Sequence, residues 1–236
     1  MASLAAFFRR EETLMPPLNL NTLLTELTLG DRHPIVVQIG AFDGCTGDPL
    51  VEFLETHKAR AVLLEPQPAP FAALQARYAN RVDVVTVNAA VAATDGRCTL
   101  HVVDGTESAD PWWCGQIASF SREHLLRHAD RIPNLTNRIC AIDVATMSPE
   151  SLMRNYAIPQ IDALIVDTEG ADWEIVKLFL DRNVIPSVLF FEWRHLDPPT
   201  IATAVTRLAE LGFQTEFVEA DIIAQHIPAI RRTIGR

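Results

Sequence analysis

The stretch Val36-Val37-Gln38-Ile39-Gly40-Ala41-Phe42-Asp43-Gly44-Cys45-Thr46-Gly47-Asp48-Pro49 decides the fold. An apolar run ends at Gly40, and Gly44 and Gly47 follow within one tight loop. Asp48 and Pro49 then offer an N-cap and a first-turn proline to a helix carrying Leu50, Val51, Phe53 and Leu54. Strand, glycine loop and helix in that order mark the place where a doubly wound α/β sheet takes a nucleotide-like ligand. The bland alternative is a tight turn between packed elements, and the remainder of the chain has to displace it.

The ligand follows from what the loop lacks. A dinucleotide fingerprint reads G-x-G-x-x-G and aims a helix N-terminus at a pyrophosphate. Here the spacing is G-x-x-x-G-x-x-G, and Asp43 puts a carboxylate where that anion has to sit. No Lys-Ser/Thr pair follows, so a phosphate-cradling P-loop fails as well. A loop with its own negative charge suits a cationic ligand, and S-adenosylmethionine carries a sulfonium, an α-ammonium and no phosphate.

The 236 residues suit a single domain of Rossmann size spanning 1–236. An apolar fraction of 48% and a charged fraction of 21% are those of a soluble globular chain. With a net charge of -10, and Lys/Arg clusters at Arg9-Arg10 and Arg231-Arg232 alone, a nucleic-acid partner is disfavoured. No apolar stretch approaches the ~20 residues that span a bilayer. Met1–Phe8 is apolar, but Arg9-Arg10-Glu11-Glu12 interrupts it and no small-residue cleavage site follows, which predicts a cytoplasmic protein without a signal peptide. Cys45, Cys98, Cys114 and Cys140 show no C-x-x-C pairing and read as reduced thiols.

Outward from the glycine loop, residues 1–30 form a helical lead-in. Leu4, Phe7 and Phe8 make a short apolar face, and Leu20, Leu23, Leu24 and Leu27 recur at helical spacing before Gly30. Packing cover is the favoured role, with cover for an active site or a homodimer contact as the alternatives. Strands are predicted at Ile35–Ile39, 61–64, Val82–Val87, Ile139–Val144, 161–166 and Ser187–Phe191, with helices between them. Asp95-Gly96 reads as a hairpin turn joining Val91-Ala92 to the strand Cys98–Val103. The pattern lapses over 104–137, an insertion or lid holding Trp112-Trp113 and Ser119. Phe213–Val218 and Ile222–Ile227 close the chain as an antiparallel pair. The predicted fold is α/β, Rossmann-like: a mainly parallel seven-stranded sheet with one antiparallel strand and helices on both faces.

In an open parallel sheet the ligand lies beyond the carboxyl ends of the strands. The residues there are Gly40 and Asp43, Glu65, Asn88, Asp167 and Glu169, then Glu192, Arg194 and His195. Glu65 closes the second strand, where nucleotide-binding folds place an acidic residue that accepts from the ribose hydroxyls. Asn88 reads an adenine edge or caps a turn. Asp167 contacts the ligand's ammonium, acts as a base, or joins Glu192 in an oxygen-rich Mg²⁺ site, the competing role for both being helix caps or salt bridges. His195 is the candidate general base, an unperturbed imidazole near pKa 6.5 being suited to proton removal.

Taken together, these motifs resemble the FkbM family of S-adenosylmethionine-dependent methyltransferases. The resemblance rests on Asp167-Thr168-Glu169-Gly170-Ala171-Asp172, on Gln38-Ile39-Gly40-Ala41-Phe42-Asp43-Gly44, on Leu64-Glu65-Pro66, on Asn88-Ala89-Ala90-Val91 with Asp95-Gly96, and on Ala141-Ile142-Asp143. It covers roughly residues 34 to 228. It implies a cofactor site of Gln38, Gly40, Ala41, Asp43, Gly44, Glu65, Pro66, Asn88, Ser119, Asp167 and Glu169, with methyl transfer to a hydroxyl of a small-molecule acceptor such as a sugar or polyketide. Two positions depart from the family pattern. Ile165 stands where a lysine is common, and the shorter Asp172 replaces a glutamate. The rivals are an NAD(P)-dependent oxidoreductase, opposed by Asp43 and the missing G-x-G-x-x-G, and a methyltransferase-fold binding protein that has lost its chemistry.

Overall fold

The computed structural model of the protein describes residues 17–30, 32–105 and 107–227. The apolar face expected at Leu4, Phe7 and Phe8, and the pairs Arg9-Arg10 and Arg231-Arg232, lie outside them. The main sheet is built from β1 (Ile35–Ile39), β2 (Arg60–Leu64), β3 (Val84–Val87), β7 (Ala163–Val166), β8 (Val188–Glu192), β9 (Phe213–Val218) and β10 (Asp221–His226). Their order is β3-β2-β1-β7-β8-β10-β9. All neighbours are parallel except β10, which runs against both β8 and β9. This is the Rossmann-like, class I methyltransferase α/β arrangement that the sequence predicts.

The near-continuous apolar strands follow from burial on both faces. Successive side chains alternate, so Val37, Val62, Leu64, Leu164 and Val166 pack with Trp173, Val176, Phe179 and Leu180 of α7 (Asp172–Leu180). Val36, Ala61, Leu63, Ala163 and Ile165 face the other way, against Leu20, Leu23, Leu24 and Leu27 of α1 (Leu20–Leu27) and against Phe53, Leu54 and Leu74. The described part of the lead-in thus covers the sheet, its start fixed by Asn19, whose side chain accepts from Thr22 N–H at 3.0 Å.

Several element boundaries shift by one to three residues, two of them for a visible reason. The helix after the glycine loop, α2 (Val51–Thr56), has Leu50 as its N-cap and so starts two residues later than Asp48-Pro49 predicts. Asp48 is drawn aside, because its carboxylate accepts from Gln38 Nε2 at 3.0 Å and from Leu50 N–H at 2.7 Å. The third strand begins at Val84 rather than Val82, whose side chain is fully exposed.

The larger correction concerns the expected hairpin. β4 (Ala90–Val91) and β5 (Gly96–Val103) do not pair with each other. β6 (Ile139–Met147) lies between them, parallel to β4 and antiparallel to β5, in a separate three-stranded sheet. Asp95-Gly96 makes a local turn, but the partner arrives from the far side of the insertion, a long-range pairing that turn chemistry cannot report. Ile139–Val144 therefore belongs to this small sheet rather than to the core. Between β5 and β6 lie α4 (Arg122–Leu126) and α5 (Leu135–Arg138). Cys114, Ile117, Leu125, Ile132 and Leu135 give this segment its own small core. Arg138 pins its base, donating to both Asp110 oxygens at 2.7 and 2.6 Å and to Gly105 O at 2.8 Å. Among the described residues no helix is long and apolar enough to cross a membrane.

Candidate active site

A cleft of about 440 Å³ opens beyond the carboxyl ends of β1, β2, β7 and β8, walled on the far side by the small sheet and the insertion. That size lies within the range of small-molecule and cofactor sites. Gln38, Gly40, Ala41, Glu65, Pro66, Ser119, Asp167, Glu169, Glu192 and His195, all predicted from sequence, line it.

At its floor the Gly40 backbone passes close to that of Asp167. Gly40 has φ +86, and a Cβ there would lie 1.7 Å from the carbonyl oxygen of Asp167. Only glycine permits β1 to turn away at that point. Beside it, Gly40 and Ala41 both donate to Leu64 O, at 3.0 and 2.9 Å. Glu65 follows directly and is 3% exposed. Its two oxygens each accept one backbone N–H, from Phe42 at 2.9 Å and from Gln67 at 2.8 Å. Burial pushes the carboxyl up to about 7, against these two donors.

Three expected ligand residues do not reach the cleft. The Asp43 carboxylate folds back on its own loop, accepting from Cys45 N–H, Thr46 N–H and the Thr46 hydroxyl at 2.7–2.8 Å. A carboxylate two and three residues before free N–H groups finds them first, as in an Asx-turn. Asp48, read from the sequence only as a helix N-cap, supplies the negative charge on this side instead. It lines the cleft, burial raises its pKa, and its Oδ2 is buried without a hydrogen bond. Gly44 packs beneath Leu74 and Tyr78, where a Cβ would approach to 2.6 and 2.8 Å. The Asn88 amide donates to Glu65 O at 2.8 Å and Pro66 O at 3.2 Å, fixing the β2 loop rather than facing a ligand.

At the opposite end the strand tips assemble charge. Asp172 caps its own loop, accepting from Thr168 and Gly170 N–H at 3.1 Å, while burial raises its carboxyl to about 7. Glu192 of β8 is in register with Asp221 of β10. Asp167 opens into the cleft but is ringed by protein otherwise, and burial together with Asp172, Glu169 and Glu192 raises its carboxyl well above the usual range.

His195 Nε2 lies 3.3 Å from Glu169 Oε2 and 3.1 Å from Glu192 Oε2. Burial works against its charged form, but the two carboxylates prevail and carry its pKa to about 10. The ring thus sits between two carboxylates that favour its protonated form, unlike the unperturbed imidazole expected from the sequence. The expected Asp167–Glu192 cation pair gains no third ligand among the described residues. Among the described residues, the ligand-type atoms that converge belong to His124, His128 and Glu169, and to Glu169, Glu192 and His195, with Asp167 in neither group. His124 and His128 were missed because the insertion carries no strand-end pattern, although their spacing of four residues is itself a legible signal.

A cleft beyond the parallel strand tips, with a buried carboxylate at the second strand end, is the geometry the family resemblance requires. A protein-family model described as a methyltransferase FkbM domain matches residues 38–215. The chain belongs to the FkbM methyltransferase family. It is thus an S-adenosylmethionine-dependent methyltransferase. No curated protein sequence matches it significantly. Among solved structures, this FkbM chain is similar to the methyltransferase FkbM from Methylobacillus flagellatus KT, at 10% identity and a TM-score of 0.48, covering 85% of this chain and 47% of that one. It is also similar to an rRNA methylase from Streptococcus thermophilus (10% identity, TM-score 0.47, 91% and 99% covered). A third likeness is to Aeropyrum pernix fibrillarin with bound S-adenosyl-L-methionine (10% identity, TM-score 0.43, 86% and 72% covered).

Proposed function

We propose that this FkbM protein transfers the methyl group of S-adenosylmethionine to a hydroxyl of a small molecule such as a sugar or polyketide. The observation that carries the reading is the polarity of the cleft. A buried carboxylate with spare lone pairs, Glu65, sits at one end, and the strand-tip carboxylates with His195 form the other. Glu65 accepts from the two ribose hydroxyls, since each of its oxygens uses only one acceptor site on the backbone. The Gly40–Ala41 turn lets the methionine portion pass close to the backbone, with Gln38, Pro66 and Ser119 as flanking walls. The sulfonium then lies toward Asp167 and Glu169, where negative charge suits it.

The reaction is a displacement in line. A lone pair of the acceptor oxygen forms the new O–C bond as the C–S bond breaks, the electron pair returns to sulfur, and the hydroxyl proton leaves to a base. Holding oxygen, carbon and sulfur in line at near-attack distance is the main contribution of the cleft. Asp167, at the floor beside Gly40, is placed to take that proton, and His195 orients Glu169 and Glu192 around the acceptor. The test is incubation with S-adenosylmethionine and candidate alcohols, read by mass spectrometry. An O-methylated product is expected, with Asp167→Asn lowering kcat more than tenfold while S-adenosylhomocysteine still binds. Binding of NAD(P)H without S-adenosylhomocysteine would sink the reading.

A further inference from the structure

His124 and His128 stand four residues apart on α4 and the turn that continues it, where Arg127 N–H bonds to His124 O at 3.1 Å and His128 N–H to Leu125 O at 3.0 Å. That spacing puts two imidazoles on one face, as metal-binding helices do. Glu169 meets them from the tip of β7 in a left-handed backbone conformation, φ 52, uncommon for a residue with a side chain. The next residue must be glycine, because a Cβ on Gly170 would lie 2.7 Å from the His124 ring. Such strain is retained where the surrounding structure and its function require it.

One ligand-type atom from each of His124, His128 and Glu169 lies within 4.8 Å of the other two, and the Nε2 atoms of both histidines are buried without a hydrogen bond. His124 is 6% exposed as a whole residue. An orphaned buried polar atom costs about 1–3 kcal/mol, so two such imidazole nitrogens converging with a carboxylate describe the lining of a ligand site. Their spacing fits an ion. Ligand atoms at 2.0–2.1 Å from a tetrahedral metal stand about 3.3 Å apart. His124 Nε2 is 3.8 Å from Glu169 Oε2, and His195 Nε2 reaches the same oxygen at 3.3 Å. The surroundings are rich in negative charge. Asp167, Asp172, Glu192 and Asp221 crowd the same strand tips, while the Arg194 side chain is 65% exposed and 3.8 Å from Glu192.

We infer that His124, His128 and Glu169 bind a divalent transition-metal ion of the Zn²⁺ class, whose fourth coordination position opens into the cleft beside His195 and Glu192. Two imidazoles and one carboxylate select Zn²⁺ and its neighbours over Mg²⁺, which prefers oxygen ligands alone. An ion there would draw an acceptor oxygen to the reacting end of the cleft, a role that rests on the function proposed above, whereas the binding site itself does not.

The test titrates chelator-stripped, full-length protein with Co²⁺, read by visible d–d absorption, and with Zn²⁺, read by elemental analysis after gel filtration. One ion per chain is expected. His128→Ala and His124→Gln should each weaken uptake ~100-fold or more, since even outer-shell partners are worth about 10–100-fold. Glu65→Gln should keep the ion, and His128→Ala should keep S-adenosylhomocysteine binding. Wild-type protein leaving the column without zinc overturns the site, as does equally tight binding by the folded His128→Ala variant. Zinc retained with no S-adenosylhomocysteine binding supports the site and sinks the methyltransferase reading alone.

Discussion

Glu65 offers the most quantitative test of the cofactor site. Its carboxyl, raised from 4.5 to about 7 by burial and only partly restrained by Gln67 and Phe42 N–H, changes charge in the range where methyltransferases are assayed. A protonated carboxyl loses acceptor capacity toward ribose, so affinity should follow the ionised fraction. That fraction is about nine-tenths at pH 8 and about one-tenth at pH 6. S-adenosylhomocysteine should therefore bind roughly tenfold more weakly at pH 6, measured by isothermal calorimetry. Hydrogen bonds to a charged acceptor contribute about 1.5–3 kcal/mol each, so Glu65→Gln should weaken binding by ~100-fold or more. It should also flatten that part of the pH profile owed to Glu65, leaving only what Asp48 and Asp167 contribute in both proteins. Stability without cofactor runs the other way. A carboxyl whose folded pKa lies above its unfolded value contributes stability fully present below about 4.5 and lost as pH rises through about 7. The shift corresponds to about 3 kcal/mol. Wild-type melting temperature should therefore fall relative to Glu65→Gln between pH 5 and pH 8, while cofactor affinity rises. Equal affinities at pH 6 and pH 8, or a Glu65→Gln profile that overlays the wild type, would refute the ribose assignment.

Two further predictions concern the walls of the cleft. Gly40→Ala forces a Cβ to 1.7 Å from Asp167 O at a φ of +86, so a loss of more than about 4 kcal/mol is expected in chemical denaturation, and a midpoint near wild type would contradict the close β1–β7 approach. Arg138→Lys replaces a two-pronged contact to Asp110 with a single ammonium, and limited proteolysis within 104–137 should accelerate; unchanged cleavage would show that the segment is held by its apolar core alone.

The chain order of strand, glycine loop and helix, the acidic residue at the second strand end, and the apolar runs were legible in the sequence because each is local. A buried parallel strand announces itself by composition, and Gly40 by the turn it must make. The seven-stranded sheet followed from these, as did Glu65, Asp167 and Glu192 at its rim. What the sequence could not decide is which polar groups find one another. Asp43 is one residue type at one loop position, yet its own backbone N–H groups claim it, and Asp48 takes the cleft instead. β6 displaces the expected hairpin because it returns after the whole insertion to pair on both edges. His124 and His128 gain their meaning only when that insertion folds over the tip of β7 and sets both rings against Glu169. Local chemistry wrote the scaffold and the cofactor end of the cleft. The histidine–carboxylate cluster exists because tertiary packing brings distant side chains within a few ångströms, and no spacing along the chain encodes that distance.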